Sequence, residues 1–295
     1  MESVIRADAL LIGCGDLGQR IGRRLAADGR DVAAIRRRAH LVPAPIRAIA
    51  ADLTASEPLP DLHAELLVVA LTADRRDEDG YREVYVDGMR RALDAATRDG
   101  RTPRRAVLVS STGVLGDGHG WVDEATEPAP ARPTAKVLLE AEKAFMAAIP
   151  HGIIARASGL YGESPRMIEQ VRRGENPDPG RWANRIHRDD AAAAVVHLLT
   201  SPSVTERLYH LTDDEPATNG AARAFIAEAL GLAPWPRADA ETHGKRLSNR
   251  LLRGSGFELR YPSYREATPR RSPSSGACPV AIVTAERVSP EADQD

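Results

Sequence analysis

The chain is poor in cysteine, in aromatic residues and in net charge. Only two of its 295 residues are cysteines, Cys14 and Cys278, and neither lies in a CxxC or another metal-ligand spacing. We therefore expect no disulfide framework, no metal site and a reducing, cytoplasmic location. A formal net charge of -2 gives no electrostatic reason to expect a nucleic acid or an anionic membrane as partner. A small-molecule substrate is the expected ligand.

Long hydrophobic runs are missing as well, and we expect no secretory leader. No apolar run approaches the ~18 residues of a membrane-spanning helix. The opening residues, MESVIRADALLIG, contain no basic segment followed by an apolar core. With 42% hydrophobic and 28% charged residues, the chain is expected to be globular and to bury a sizeable core.

Short apolar runs alternate with helical patterns along the first 160 residues. The runs at 66–71 and 106–111 are continuously apolar, as expected for strands covered on both faces of a parallel sheet. This alternation predicts an α/β fold with a doubly wound parallel Rossmann sheet. We expect the Rossmann domain to span 1–160, a smaller substrate-side lobe 161–265, and a mostly disordered tail 266–295. The Ala-rich helix DDAAAAVVHLL and the strand RLYHLT are assigned to the lobe.

A glycine loop follows the first predicted strand and opens the first predicted helix. In LLIGCGDLG, the first Gly permits a tight turn, the second lets the backbone approach a diphosphate, and the third allows close packing of helix and strand. This context favours a dinucleotide site over a purely structural turn, which remains the alternative. The residues expected at the cofactor are Gly13, Gly15, Asp16, Leu17, Gly18, Arg36, Arg37, Asp52, Leu53 and Leu71.

The residues after the second strand favour NADP over NAD. A carboxylate about 20 positions after the loop binds the ribose 2′-hydroxyl of NAD, whereas arginines accommodate the 2′-phosphate of NADP. This chain has Arg36, Arg37 and Arg38 there. The alternative is a solvated basic loop in an arginine-rich chain. Asp52 is a candidate contact on the adenine side, or an ordinary helix-start residue.

Several ordered motifs carry a family resemblance over residues 7–265. They are GCGDLG, AADL, VLVSSTGVLGD, WVDEATEPAP, LLEAEKAF, ARASGLYG, NRIHRDDAAAAVVHLL and LYHLTDDEPAT. Together they resemble an atypical branch of the extended short-chain dehydrogenase/reductase superfamily, the NAD-dependent epimerase/dehydratase family. The resemblance implies an NAD(P)-dependent oxidoreductase or epimerase fold that often dimerises, and it places a catalytic Ser or Thr at Ser111 or Thr112. The tyrosine expected in that run is Leu115.

The catalytic Tyr and Lys that the resemblance implies, four residues apart, are absent. None of the six tyrosines is followed by a lysine at that spacing. Counting from the trailing Glu142 places the pair at Thr134 and Leu138, and a frame shifted by two gives Arg132 and Lys136. Neither frame contains a phenol. A threonine hydroxyl lacks the acidity that this chemistry needs unless a strong partner activates it.

Other side chains are candidate replacements. Glu124, beside Asp123 in the WVDE loop, is a candidate general acid, with a solvated loop carboxylate as the alternative. Tyr161 is a candidate phenol or an aromatic packing wall. His187 is expected to be structural, with Asp190 capping the next helix.

Two functions stay open at this point. One is an NADP-preferring oxidoreductase or epimerase-like enzyme acting on a small or nucleotide-linked substrate with a non-standard acid or base. The other is a non-catalytic NAD(P)H-binding sensor or scaffold, because the usual catalytic pair is missing. Either could act as a homodimer.

Overall fold

The computed structural model of the protein describes residues 4–162, 166–233 and 241–268. Most of the tail for which we predicted disorder, and Cys278 with it, lies outside these ranges, so that prediction stands as made.

The described residues form a central sheet of seven parallel strands with helices on both faces. The strand order is β11-β7-β5-β4-β1-β2-β3, with shorter strand pairs β8 with β10, β9 with β12, and β6 with β13 outside the sheet. The strands are β1 (Ile5–Ile12), β2 (Val32–Ile35), β3 (Arg47–Ile49), β4 (Leu62–Val69), β5 (Arg105–Ser111), β6 (Gly120–Val122), β7 (Ile153–Ala157), β8 (Gly159–Tyr161), β9 (Trp182–Ala183), β10 (Arg185–His187), β11 (Leu208–Leu211), β12 (Ala217–Thr218) and β13 (Lys245–Leu247).

Eight α-helical segments, three short 3-10 turns and one π-helix connect these strands within the described ranges. The α-helices are α1 (Asp16–Ala27), α2 (Glu78–Tyr81), α3 (Met89–Ala96), α4 (Pro133–Ala148), α5 (Arg166–Arg172), α6 (Arg188–Thr200), α7 (Asn219–Ala229) and α8 (Arg250–Gly254). The π-helix is Arg82–Gly88, and the 3-10 turns are Ala39–Leu41, Arg98–Gly100 and Thr112–Leu115.

Two apolar layers hold the sheet between its helices. Side chains of α1 and α6, such as Leu25 and Leu198, pack on one face of the sheet. Side chains of the π-helix, α3 and α4, such as Met89 and Phe145, pack on the other face. The strands are apolar on both sides because both faces are covered. The predicted doubly wound α/β fold is therefore confirmed.

Two elements assigned to the smaller lobe lie in the central layers instead. β11 pairs in parallel with β7, from Leu208 beside Ile154 to Leu211 beside Ala157, and forms the edge of the main sheet. α6 buries its Ala-rich face on the same side as α1. The sequence alone did not show this, because a four-residue strand has the same apolar pattern in either place. The domain boundary at 160 remains a prediction.

The helical region after β4 contains a π-helical segment. Asp77 caps its start by accepting a hydrogen bond from the backbone N–H of Gly80 at 2.7 Å. α2 then passes into the wider turns of Arg82–Gly88 before α3 resumes the ordinary helical spacing. In this segment the Tyr85 hydroxyl donates to the carbonyl of Leu71, at 3.1 Å. The wide turns therefore connect the helix to the loop that follows β4.

In the part of the chain that the structure describes, no helix combines the length and apolarity needed to cross a bilayer.

Candidate functional site

The turn between β1 and α1 requires two of its three glycines for packing and leaves space at the third. Gly13 has φ +93°, and a Cβ there would lie 2.4 Å from the carbonyl oxygen of Ala70. A Cβ at Gly18 would lie 2.7 Å from the carbonyl oxygen of Gly13. At Gly15, a Cβ would meet only the Thr72 hydroxyl, at 3.9 Å. The second glycine therefore faces open space, where a diphosphate can approach the backbone.

A cleft of about 710 Å³ opens beside this turn, at the carboxyl edge of the sheet. It is lined by most of the residues expected at the cofactor: Gly13, Gly15, Asp16, Arg36, Arg37, Asp52, Leu53 and Leu71. Two of the expected residues are not in the lining: Leu17 packs against the core on the α1 side, and Gly18 is buried in the helix. The lining also contains residues that sequence reasoning missed, on the loop after β4 and in the helix beyond it: Thr72, Asp74, Arg75, Gly80, Glu83 and Val84.

The arginines after β2 are not equivalent. Arg36 donates from Nη1 to the carbonyl of Leu41, at 3.0 Å. Arg37 forms a hydrogen-bonded ion pair with Asp74 and lies 3.9 Å from Asp52. The hydrogen bond that Arg37 donates to Asp74 raises the pKa of the Arg37 guanidinium, and the same bond lowers the pKa of the Asp74 carboxyl. Arg38 is exposed at the rim of the cleft. The basic cluster therefore already carries a carboxylate that no sequence motif indicates.

Asp52 is fixed by its own turn. Its carboxylate accepts hydrogen bonds from the backbone N–H of Thr54 at 2.9 Å and from the Thr54 hydroxyl at 2.8 Å. Partial burial alone would raise the pKa of Asp52, but these bonds and the charge of Arg37 outweigh it and lower the pKa. Asp52 therefore presents a charged, oriented acceptor to the cleft.

The hydroxyls at the end of β5 are both engaged in local hydrogen bonds. Ser111 Oγ accepts from the backbone N–H of Gly113 at 3.1 Å. Thr112 is buried and donates from Oγ1 to the carbonyl of Ala157 at 3.4 Å. Ser111 is half-buried and can still donate its proton outward, whereas Thr112 stabilises the junction with β7.

The positions of the expected Tyr and Lys lie in or beside an apolar cluster. Leu138 packs on a buried group formed by Val114, Leu115, Val122 and Leu247. Thr134 is half-buried in the first turn of α4, immediately after Pro133. In the alternative frame, Arg132 precedes the helix and Lys136 is exposed. Neither frame therefore places a phenol and an ammonium together at this point.

Glu124 is the candidate general acid whose pKa differs from its ordinary value. Its Oε1 accepts a hydrogen bond from the backbone N–H of His210 at 2.8 Å, which attaches the WVDE loop to β11. Burial raises the pKa of the Glu124 carboxyl, although the hydrogen bond from His210 opposes this. A raised pKa favours the protonated form of a carboxyl, which is the form that a general acid requires.

Tyr161 and His187 form part of an aromatic group. The Tyr161 hydroxyl donates to the carbonyl of Ser263 at 2.8 Å, and burial raises its pKa. Its ring meets the His187 ring edge-on at 5.4 Å, and His187 stacks on Tyr261 at 3.9 Å. These contacts are those of a packing wall, and a raised pKa makes the phenol a weaker acid at neutral pH.

His187, and not Asp190, caps α6. The His187 ring accepts a hydrogen bond from the backbone N–H of Asp189 at 3.2 Å. The Asp190 carboxylate instead accepts from the backbone N–H groups of Arg260 and Tyr261, at 3.0 and 2.8 Å. The prediction that Asp190 is the cap was wrong. Its carboxylate binds a segment 70 residues away, which local sequence spacing does not reveal.

A buried polar row crosses three strands beneath α4. Ser110, Arg156 and His210 are neighbours in register on β5, β7 and β11. Glu142 of α4 accepts from Arg156 at 3.0 and 2.7 Å and from the Ser110 hydroxyl at 2.6 Å. Burial lowers the pKa of His210 to about 4, which keeps its ring neutral. The sequence motifs contain these residues but give no sign that they meet.

A second, smaller cleft of about 330 Å³ lies between β6 and the segments after β11 and β13. Asp213 contributes to its wall and is 1% exposed. Its carboxylate accepts no well-formed hydrogen bond from the described residues. Burial raises the pKa of Asp213 to about 8, against the opposing charge of Arg185.

The chain is similar in sequence or in fold to several known proteins. Protein YeeZ of Escherichia coli K12 is 29% identical over 206 residues, which cover 68% of this chain and 73% of YeeZ. The structure of a putative NAD-dependent epimerase/dehydratase from Methylobacillus flagellatus is 36% identical, with a TM-score of 0.76 and coverage of 88% of this chain and 96% of that one. The human epimerase family protein SDR39U1 with NADPH shares the fold, with 20% identity, a TM-score of 0.70 and coverage of 90% and 98%.

A family model described as NAD(P)H-binding matches residues 13–202. This range begins at the first glycine of the cleft and ends just after α6. The chain therefore belongs to the NAD(P)H-binding family, and its fold is that of the NAD-dependent epimerase/dehydratase proteins.

Proposed function

We propose that the protein is an NADP-preferring oxidoreductase or epimerase-like enzyme that acts on a small or nucleotide-linked substrate with a non-standard proton donor. The observation that carries the proposal is the cleft beside the glycine turn. Gly13 and Gly18 are packed against backbone atoms, while Gly15 faces open space. Three arginines after β2 line the same cleft. This arrangement fits a dinucleotide whose diphosphate lies against the start of α1.

Each part of the cleft has a chemical role in this proposal. The backbone N–H groups at the start of α1 bind the diphosphate. Asp52 accepts a hydrogen bond from the adenosine half of the dinucleotide. Arg37 and Arg38 lie where the 2′-phosphate of NADP binds. A bound nicotinamide dinucleotide supplies hydride transfer. The chain contributes orientation, charge and a proton.

We assign the proton donor to Glu124. Its carboxyl is half-buried, its pKa is raised by burial, and the His210 backbone N–H holds one of its oxygens in place. Ser111 at the end of β5 is the hydroxyl that can orient a substrate carbonyl or alcohol. Ser111 ends β5 at the carboxyl edge of the sheet, where ligands of doubly wound folds bind, and Glu124 lies on the loop that follows β6.

The experiment is a calorimetric titration of the wild-type protein with NADPH, NADP, NADH and NAD. We expect NADPH to bind, and Gly15→Asp to weaken it by about tenfold or more because a carboxylate then occupies the diphosphate position. Gly254→Asp is the matched control, since Gly254 is exposed at the end of α8 and a Cβ there meets nothing within 4 Å. If none of the four nucleotides binds the wild-type protein, the proposal is wrong.

A second function, a non-catalytic NAD(P)H-binding sensor or scaffold, is favoured by one observation. Leu138, and Leu115 beside it, lie in an apolar cluster where the expected catalytic pair would need polar groups. Binding without turnover of a panel of sugar nucleotides, aldehydes and ketones would favour this function. Turnover that falls at least about tenfold in Glu124→Gln, with NADPH affinity unchanged, would favour the enzyme.

A further inference from the structure

The anion-binding end of the cleft already contains an anion supplied by the protein itself. Asp74, on the loop after β4, forms a hydrogen-bonded ion pair with Arg37. The charge of Arg38 also acts on Asp74. The Asp74 carboxylate is thus already bound to Arg37, one of the two guanidiniums that the proposed function places at a 2′-phosphate.

We propose that Asp74 competes with the 2′-phosphate of NADP for Arg37, and so determines how strongly the protein prefers NADP over NAD. This inference rests on the proposed function, because it concerns the nucleotide bound in the same cleft. With NAD, which has a 2′-hydroxyl, the ion pair between Asp74 and Arg37 stays intact. With NADP, the carboxylate must leave Arg37 before the phosphate can bind.

The surroundings of the two carboxylates near Arg37 explain why Asp74 is the one that yields. Asp52 lies 3.9 Å from Arg37 but is fixed by two hydrogen bonds from Thr54. The Asp74 side chain is 66% exposed on a loop. Exposed ion pairs are weak, so water can replace Arg37 as the partner of Asp74 at small cost. Asp74 can therefore turn outward, whereas Asp52 stays and accepts a hydrogen bond.

Charge sets the direction of the effect. A phosphate monoester carries about -1.5 to -2 charges at neutral pH, and it repels a carboxylate that shares its arginine. Removing the Asp74 charge therefore frees Arg37 and abolishes that repulsion. Both consequences strengthen the binding of a 2′-phosphate, and neither involves the 2′-hydroxyl of NAD.

The test compares Asp74→Asn with the wild-type protein in calorimetric titrations with NADPH and NADH at low and at high salt. We expect Asp74→Asn to tighten NADPH binding by about threefold to tenfold at low ionic strength and to leave NADH binding within about twofold. The gain should shrink as salt screens the charges. Asp79→Asn is the control, because Asp79 is an exposed carboxylate of α2 outside the cleft lining.

Each outcome decides between the alternatives. A gain for NADPH in Asp74→Asn that is absent in Asp79→Asn supports the competition. Unchanged NADPH binding, an equal change for NADPH and NADH, or an equal gain in both variants overturns it while leaving the dinucleotide site intact. If the wild-type protein binds neither NADPH nor NADH, the proposed function itself is wrong, and the competition is ruled out with it.

Discussion

At the scale of single residues, two glutamates of α4 show how burial changes the effect on stability of removing one partner of an ion pair. Glu142 and its partner Arg156 have 3% and 4% of their side chains exposed. Glu140, two residues earlier, pairs with Arg82 at 2.8 Å with 38% of its side chain exposed. The shortest nitrogen–oxygen distances are nearly equal, 2.7 and 2.8 Å, yet only the buried pair leaves an unpaired buried charge when one partner is removed.

We predict that Glu142→Ala lowers the free energy of unfolding by about 3–5 kcal/mol, because Arg156 then stays buried without its counter-ion. Glu140→Ala should lower it by at most about 1 kcal/mol. Urea denaturation of the two variants, monitored by circular dichroism, measures both values. Equal losses in the two variants would contradict the assignment of Glu142 as the buried anchor of α4.

At the scale of elements, the contact of α1 with the glycine turn depends on the absence of one side chain. A Cβ at Gly18 would press on the backbone of Gly13, at 2.7 Å, and neither partner can turn away. A Cβ at Gly22 would press on the end of the Ile46 side chain, at 2.6 Å, which can change its rotamer. Both glycines lie within α1, so alanine gains the same intrinsic helix propensity at each position.

We therefore predict effects of different size for the same substitution at the two positions. Gly18→Ala should destabilise the protein by about 1–3 kcal/mol, because the helix must move away from the turn. Gly22→Ala should lie within about 1 kcal/mol of wild type, because the propensity gain offsets the strain on Ile46. Thermal unfolding without nucleotide measures the difference. A Gly22→Ala variant as unstable as Gly18→Ala would show that helix packing, and not the turn, sets the limit.

The structure is best predicted from the sequence at the scale of helices, strands and turns. Strands β4 and β5 lie within a few residues of the runs at 66–71 and 106–111 that predict them, since continuous apolar runs between turn residues allow few alternatives. The glycine turn was expected because its spacing has a local cause. The π-helix at Arg82–Gly88 was not, because a wider turn depends on contacts such as that of Tyr85 with Leu71. Likewise, Asp74 gave no signal, since it meets Arg37 only after folding.

At the scale of the whole molecule, one buried carboxyl makes stability depend on pH. The pKa of Asp213 is raised to about 8 by burial. An Asp carboxyl in an unfolded chain titrates at about pH 4. Between that pH and about pH 8, the folded protein therefore holds a proton at Asp213 that the unfolded chain releases. The contribution of this group to stability is therefore greatest below pH 4 and is lost progressively as the pH rises to 8.

We predict that Asp213→Asn becomes more stable relative to wild type as the pH rises from 5.5 to 7.5. The difference should grow by at most ~1.4 kcal/mol per pH unit, because a single proton is involved. Asp214→Asn, a change at the exposed neighbouring carboxylate, should show a difference from wild type that stays flat over this range. Urea denaturation at three pH values tests this, and a constant difference for Asp213→Asn would contradict a buried proton.

The position of β11 has a consequence for how the protein is made. This strand completes the sheet beside β7, although 50 residues separate the two in the chain. While the ribosome is still adding those residues, β7 is the outer strand and its backbone N–H and C=O groups on that side have no partner. Such an edge pairs readily with other nascent chains. The interval between the emergence of β7 and that of β11 from the ribosome is therefore the one in which a chaperone that covers strand edges should most improve the yield of folded protein.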